Sequence, residues 1–236
     1  MGIGEGTFIR ACMKSDAQLT WDESDTPYSR RFEDLYFSRE DGRAETRAVF
    51  LAGNGLPQAW QNTRHYHIAE LGFGTGLNFF ETLQQWQMSA PQEAVLHFTS
   101  FELYPLSGKE ISRAIANWPE LVKLADQLRE LITGQHALHF GNVQLEIITG
   151  DARKTLPKWR GQVDAWYLDG FSPAKNPQLW QAELMQAVFE HTRQGGTFST
   201  YTAAGYVRRN LQEAGFEVQR VPGFGGKRER LQGQKV

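Results

Sequence analysis

The sequence predicts an α/β fold, a mostly parallel sheet with helices on both faces, preceded by a small N-terminal extension. Three observations predict it. From Tyr66 onward, short apolar runs of strand character alternate with helical patterns, as in a chain of βαβ units. A glycine-rich stretch, GFGTG (Gly72–Gly76), links the first run to the first helix. Acids stand at the ends of four successive strands, at Glu70, Glu102, Asp151 and Asp169, where open α/β sheets bind their ligands.

Taken in order, residues 1–20 show no periodicity and read as a flexible leader. Residues 21–64 read as an extension packing on the domain that follows, residues 65–236. Within it, the Asp-Gly pair in REDGR (Arg39–Arg43) signals a hairpin ending near Tyr36. AETRAVFLAG (Ala44–Gly53) then reads as a short helix closed by Gly53. HIAEL is the first strand of the main sheet, and Leu77, Phe80, Leu83 and Trp86 give the next stretch a helical face. VLHFTSFEL (Val95–Leu103) is a strand, and residues 107–132 hold two helices split by Pro119. VQLEIIT (Val143–Thr149) and VDAWYLDG (Val163–Gly170) are strands. LWQAELMQAVFEHT is a helix closed by Gly195–Gly196, and TFSTY (Thr197–Tyr201) is a strand. AAGYVRRNLQEAG is a helix stopped by Gly215, followed by strands FEVQRV and RERLQG. PGFGGK between those two is too short for a crossover helix, so the last strand is antiparallel. The count is a seven-stranded sheet.

Composition narrows the function classes. No apolar run reaches the roughly 18 residues of a membrane span, and no basic-then-apolar leader marks secretion, so a cytoplasmic protein is expected. The single cysteine, Cys12, excludes an intrachain disulfide and a CxxC metal site. No HxxxH pair occurs among the six histidines, so no metal is expected. The net charge is only −2, yet residues 208–236 hold seven Lys/Arg against three Glu, a local net of +4. Such a patch can attract polyanions, although charge runs are usually solvated surface.

The glycine loop alone fits several nucleotides. A dinucleotide site favours GxGxxG, with the pyrophosphate on the helix N-terminus; here the spacing is GxGxG, and Leu77 stands where the last glycine would fall. Glu70, two residues before Gly72, would repel a pyrophosphate but can pair with an ammonium. S-adenosylmethionine has that ammonium and no phosphate. Gly72, Gly74 and Gly76 would then let the backbone approach the ligand without Cβ atoms between. Glu102 can accept both ribose hydroxyls, and Asp151 the adenine amino group. Asn78, in the first helical turn, joins this candidate set.

The loop LDGFSPAKNPQLW (Leu168–Trp180) is stiffened by Pro173 and Pro177. Asp169 would face the donor methyl, or else cap the next helix. Phe171 and Trp180 could stack on a base, or Trp180 could be core. With ELGFGTGLNFF, YTAAGYVRRNLQEAGF and GFGGKRERL, this loop resembles the methyltransferase domain of the MnmC family of bacterial tRNA wobble-uridine modification enzymes. TPYSRRFEDLYFS and ETRAVFLAGNGL resemble that family's front segment, so the likeness runs from about residue 20 to residue 233. It implies a class I methyltransferase fold (Rossmann-like), S-adenosylmethionine as donor and tRNA as partner. It also implies methylation of the primary amine of 5-aminomethyl-2-thiouridine to 5-methylaminomethyl-2-thiouridine. In many members an FAD-dependent oxidase domain follows. This chain ends after the methyltransferase pattern, as a standalone form or an excised domain would, so FAD is not expected in it.

For that reaction Asp169 is the candidate to hold the amine and accept its proton, with Tyr201 as a second substrate contact. Cys12 is remote from every motif, so no covalent attack on a uracil ring is implied. Arg30, Arg31, Lys175, Arg208, Arg209, Lys227 and Arg228 are candidates for phosphate. The competing readings are a methyltransferase acting on another amine, in a small molecule or protein, an NAD-linked oxidoreductase, and a non-catalytic RNA-binding scaffold.

Overall fold

The computed structural model describes residues 18–131 and 137–236, so Cys12 and most of the expected leader lie outside the described residues. Three short strands come first, β1 (Leu19–Trp21), β2 (Pro27–Ser29) and β3 (Asp34–Leu35), paired antiparallel in that order. The main sheet follows with β4 (His65–Leu71), β5 (Val95–Glu102), β6 (Ala137–Phe140), β7 (Val143–Thr149), β8 (Val163–Leu168), β9 (Thr192–Thr200), β10 (Glu217–Pro222) and β11 (Glu229–Gln234). Its order is β10-β11-β9-β8-β4-β5-β7-β6, eight strands. The five central ones are parallel, and β11 runs antiparallel to both β9 and β10. The helices are α1 (Gly42–Glu45), α2 (Leu77–Ser89), α3 (Gly108–Ala114), α4 (Pro119–Leu131), α5 (Ala152–Thr155), α6 (Ala182–Glu190) and α7 (Gly205–Ala214). No helix among the described residues is long and apolar enough to cross a membrane.

The eighth strand corrects the expected seven. Leu138 and Phe140 pair with Leu145 and Val143 across a two-residue turn, Gly141-Asn142, with Gly141 at φ +64°. A second correction concerns Gly195–Gly196, which lie inside β9 and do not close the preceding helix. That helix stops at Glu190, where Thr192 Oγ1 donates to the Val188 carbonyl (2.7 Å). The glycines serve a register shift, since Val163 faces Thr192 while Ala165 faces Thr197.

The N-terminal segment departs most from expectation. Asp41 does not turn a hairpin; its carboxylate caps α1 by accepting from Ala44 N (2.9 Å). The helix continues through a wide π-turn, Thr46–Leu51, and a tight turn, Ala52–Asn54, ending at Gly55 (φ +67°) instead of Gly53. At Gly53 a Cβ would sit 2.2 Å from Ser199 Oγ, so glycine there permits close docking on β9. The segment is pinned to the sheet by polar bonds as well. Ser199 Oγ donates to the Val49 carbonyl (2.6 Å), and Asn54 Nδ2 donates to the Trp166 carbonyl (3.2 Å). The guanidinium of Arg43 meets the buried Glu81 of α2 (2.6 Å) and also pairs with Glu120 of α4.

Alternation along the strands feeds two cores. Ile68, Phe98, Ala165 and Tyr167 pack with Phe79, Phe80, Leu83 and Trp86 of α2 on one face. Leu71, Trp166, Leu168 and Phe198 pack with Leu184, Val188, Val207 and Leu211 of α6 and α7 on the other. The chain runs β4, β5, β7 to one side, then crosses back to place β8 on the other side of β4. The carboxyl ends of β4 and β8 therefore lie together, with Leu71 facing Leu168, and their loops open the crevice where such sheets bind ligands.

Candidate active site

The loops after β4 and β8 meet backbone to backbone. Gly72, at φ +88°, donates its N–H to the Phe101 carbonyl (2.9 Å), and a Cβ there would lie 3.2 Å from the Gly170 Cα. Gly74 donates its N–H to Glu102 Oε2 (2.9 Å), and a Cβ there would lie 3.1 Å from the ring of Tyr36. Gly76 does not line the cleft. It starts α2 at φ +75°, where a Cβ would press on the Phe73 and Phe80 rings at 2.9 and 3.0 Å. Glu102, which lines the cleft, also accepts from Tyr104 N through Oε1 (2.7 Å), so each carboxylate oxygen keeps capacity for a further bond.

Behind this wall lies a linked pair of acids. Glu70 is fully buried and does not line the cleft, so no direct contact with a bound ammonium is built here. It accepts from Asn78 Nδ2 (2.9 Å) and Ser100 Oγ (2.8 Å), and burial, reinforced by Asp169, pushes its carboxyl well above the usual range. The other Nδ2 proton of Asn78 goes to Asp169 Oδ2 (2.7 Å), while Thr46 Oγ1 donates to Asn78 Oδ1 (2.7 Å). One amide thus orients both acids. Asp169 lines the cleft, and burial pushes its carboxyl up to about 7 against the lowering effect of the Gly170 N–H and of Asn78.

The opposite wall comes from residues 32–46 and the β10–β11 turn. The ring of Phe171 stacks on Phe32 (centroids 4.5 Å apart) and meets the edge of Tyr36 (5.1 Å). Asp34 Oδ2 accepts from Ser172 N (2.9 Å). Tyr201 donates its hydroxyl to the Gly170 carbonyl (2.8 Å), and its ring carries the Lys227 ammonium at 4.4 Å. That ammonium also pairs with Glu45 Oε1 (2.8 Å). Asp151 caps α5 and lines the cleft, and the fork of Arg153 grips its carboxylate (2.6 Å) and holds its pKa down.

Of the residues singled out from sequence, one cleft gathers Gly72, Gly74, Asn78, Glu102, Asp151, Asp169, Phe171, Tyr201 and Lys227. Trp180 is core, fully buried, with its indole N–H on the Phe171 carbonyl (3.1 Å). Lys175, Arg208 and Arg228 do not line it. Lys175 pairs with Glu33 (3.2 Å) and Arg208 donates to Gln212 (3.0 Å). Sequence reasoning missed Phe32, Tyr36, Glu45 and Thr46. For Phe32 and Tyr36 the one hint was the interleaving of aromatics and acids in RRFEDLYF, within the segment read as packing on the main domain; Glu45 and Thr46 carried no such signal.

The cleft measures about 530 Å³, within the roughly 300–1,000 Å³ of small-molecule sites. A glycine turn at positive φ tight against Gly170 and Tyr36, a carboxylate at the end of β5 and an apolar rim at Phe101 and Leu103 fit an adenosyl group without phosphate. Among the described residues no three His, Cys, Asp or Glu side chains gather as a metal site.

The chain resembles known proteins in both sequence and fold. The chain is 48% identical to the tRNA 5-methylaminomethyl-2-thiouridine biosynthesis bifunctional protein MnmC of Chromohalobacter salexigens, over 92% of this chain and 33% of that protein. It is 49% identical to the protein of the same name from Stutzerimonas stutzeri, over 92% of this chain and 34% of that one. The chain therefore spans about a third of the length of these relatives. Its fold matches the crystal structure of MnmC2 from Aquifex aeolicus with a TM-score of 0.76, at 21% identity over 94% of this chain and 71% of that one. Residues 117–236, which include Asp151, Asp169, Tyr201 and Lys227, match a family described as S-adenosyl-L-methionine-dependent methyltransferase. On these grounds the chain belongs to the S-adenosyl-L-methionine-dependent methyltransferase family.

Proposed function

We propose that the chain methylates the primary amine of 5-aminomethyl-2-thiouridine at the tRNA wobble position, giving 5-methylaminomethyl-2-thiouridine. The observation that carries this reading is the 45–49% identity, over 92–93% of the chain, to relatives whose name specifies that nucleoside. The cleft supports it, because an acid held near neutrality and an aromatic wall suit an alkylamine on a flat base. The relatives are named bifunctional, so an oxidase domain, fused or separate, is the fitting supplier of the aminomethyl group. A cytoplasmic setting follows from tRNA as substrate.

Gly72, Gly74, Asn78, Glu102 and Asp151 would hold S-adenosylmethionine, which supplies a sulfonium methyl already activated for transfer. Glu70 and Gly76 act behind the cleft wall, the first through Asn78 and the second by packing α2. Because the methyl is activated, the protein's main task is to align the amine in line with it. Asp169, steadied by Asn78, receives the amine and takes up its proton. Phe171 and Tyr201 bound the space beside it, and Lys175, Arg208, Lys227 and Arg228, of which Lys227 lines the cleft, would offer charge to the anticodon phosphates.

The test is methyl transfer from labelled S-adenosylmethionine to tRNA carrying 5-aminomethyl-2-thiouridine, with nucleoside analysis and Asp169→Asn in parallel. Label in the methylaminomethyl nucleoside, lost in the variant, is the expected result. Donor binding with no label in tRNA would remove the tRNA assignment and leave a methyltransferase of another amine.

A further inference from the structure

The cleft contains an ammonium of its own. Lys227, at the tip of the turn between β10 and β11, reaches back 2.8 Å from Glu45 Oε1 and 4.4 Å above the ring of Tyr201. Glu45, Tyr201, Asp169 and Lys227 all line the same space. The Glu45 side chain is only 14% exposed, whereas that of Lys227 is 46% exposed. A mostly desolvated carboxylate and an aromatic face together form a cation site. A lysine Nζ and a protonated aminomethyl group are the same chemical species, a primary alkylammonium.

We propose that Glu45, the Tyr201 ring and Asp169 form the seat for the substrate's ammonium, and that Lys227 fills this seat until the substrate displaces it. The inference rests on the tRNA amine reading above. It adds Glu45 as the residue that selects a cationic substituent, and Lys227 as its resident stand-in.

The exchange suits the energetics. Glu45 trades one hydrogen-bonded ammonium for another and never stands buried and unpaired. Lys227, released on its exposed turn, becomes available to a phosphate of the incoming strand. The seated ammonium then passes one proton to the Asp169 carboxylate, and the freed nitrogen lone pair forms the new N–C bond as the S–C bond breaks. The products are a secondary ammonium and S-adenosylhomocysteine. A uridine without the amine cannot replace Lys227, and one bearing a carboxylate meets Glu45 and Asp169 as like charges.

The test compares two anticodon stem-loops that differ only in having 5-aminomethyl-2-thiouridine or 2-thiouridine at the wobble position. Their affinities are measured with S-adenosylhomocysteine present, so that nothing turns over. Wild type should prefer the aminomethyl loop. Glu45→Gln should weaken that loop by about tenfold, the scale of one hydrogen bond to a charged group, and leave the other loop unchanged. Glu45→Asp should keep the preference. Lys227→Met, which empties the seat, should widen the preference several-fold, because only the aminomethyl loop has to displace the lysine. Retained S-adenosylhomocysteine affinity shows that each variant is folded; if the Glu45 variants lose it, Lys227→Met decides alone. Preference kept in Glu45→Gln, equal weakening of both loops, or an unchanged ratio in Lys227→Met each overturns the seat. Should wild type methylate the aminomethyl tRNA while Glu45→Gln keeps the preference, the seat fails and the tRNA reading stands. Should wild type neither methylate nor discriminate, the tRNA reading fails and takes the seat with it.

Discussion

Replacing Asp169 with asparagine should stabilise the protein above neutral pH while abolishing transfer. Burial holds the carboxyl at about 7, against an ordinary value of 3.8. An acid whose folded value lies above its unfolded value leaves the folded state holding the extra proton between the two. Stability therefore falls as pH climbs from about 4 to about 7 and is flat beyond. At ~1.4 kcal/mol per tenfold change, ionising Asp169 in place costs on the order of 4 kcal/mol at pH 8 and under about 2 kcal/mol at pH 5. Asparagine carries no such cost and still accepts the amide proton that Asn78 now gives the carboxylate (2.7 Å). Its advantage over wild type should grow by about 2–3 kcal/mol between pH 5 and pH 8. Urea unfolding of both proteins at the two pH values measures this, because most other titrating groups cancel in the difference. Glu70 is the exception, since Asp169 raises its carboxyl. An advantage equal at both pH values, or a variant less stable at pH 8, would refute the view that Asp169 is kept near neutrality by burial.

Three further outcomes follow from the same geometry. The pH profile of kcat/KM for methyl transfer should rise through a bend near 7, where Asp169 ionises, and a profile without that bend would remove Asp169 as proton acceptor. Gly72→Ala should cost about 1–3 kcal/mol of stability from its φ of +88°. It should also weaken S-adenosylhomocysteine binding in calorimetry, because its Cβ would press on Gly170 at 3.2 Å. Arg43→Met should cost up to about 3 kcal/mol in urea unfolding, since the buried Glu81 loses its nearest cation and keeps Arg47 (3.1 Å) and the Gln85 amide (3.1 Å).

The sheet and its ligand end were legible because strand ends and glycines obey local rules. Gly72, Glu102 and Asp169 could be placed by asking what each strand of a βαβ chain ends in. The strand Ala137–Phe140 was overlooked although its Gly-Asn turn before VQLEI is itself a hairpin signal. The misread Gly195–Gly196 and Asp41-Gly42 show the limit of such signals, since a glycine pair can serve a bulge and an Asp-Gly pair a helix cap. The missing cleft wall had a different cause. Tyr36, Glu45 and Thr46 reach the site only through tertiary docking, anchored by Arg43 on Glu81 and by Val49 on Ser199. No local pattern in residues 32–46 encodes those partners. Glu70 illustrates the converse, a strand-end acid expected to meet an ammonium whose carboxylate instead turns inward to Asn78 and Ser100.

Burial of Asp169 also eases a difficulty of the proposed amine methylation. A carboxylate beside an amine ordinarily keeps the amine protonated and therefore unreactive. With an alkylamine near roughly 10.4 and an aspartate near its usual value, moving the proton between them costs roughly 9 kcal/mol. With Asp169 at about 7, the same transfer costs roughly 5 kcal/mol. That reduction comes from desolvation, and it needs a second structure to hold the acid in place. Asn78 supplies it by giving one amide proton to Asp169 and the other to Glu70, while Thr46 fixes the amide's orientation. Thr46 belongs to the N-terminal segment, and so does Glu45, which raises the Asp169 carboxyl further. The segment that looked like an appendage thus helps set the proton affinity of the acid at the centre of the cleft.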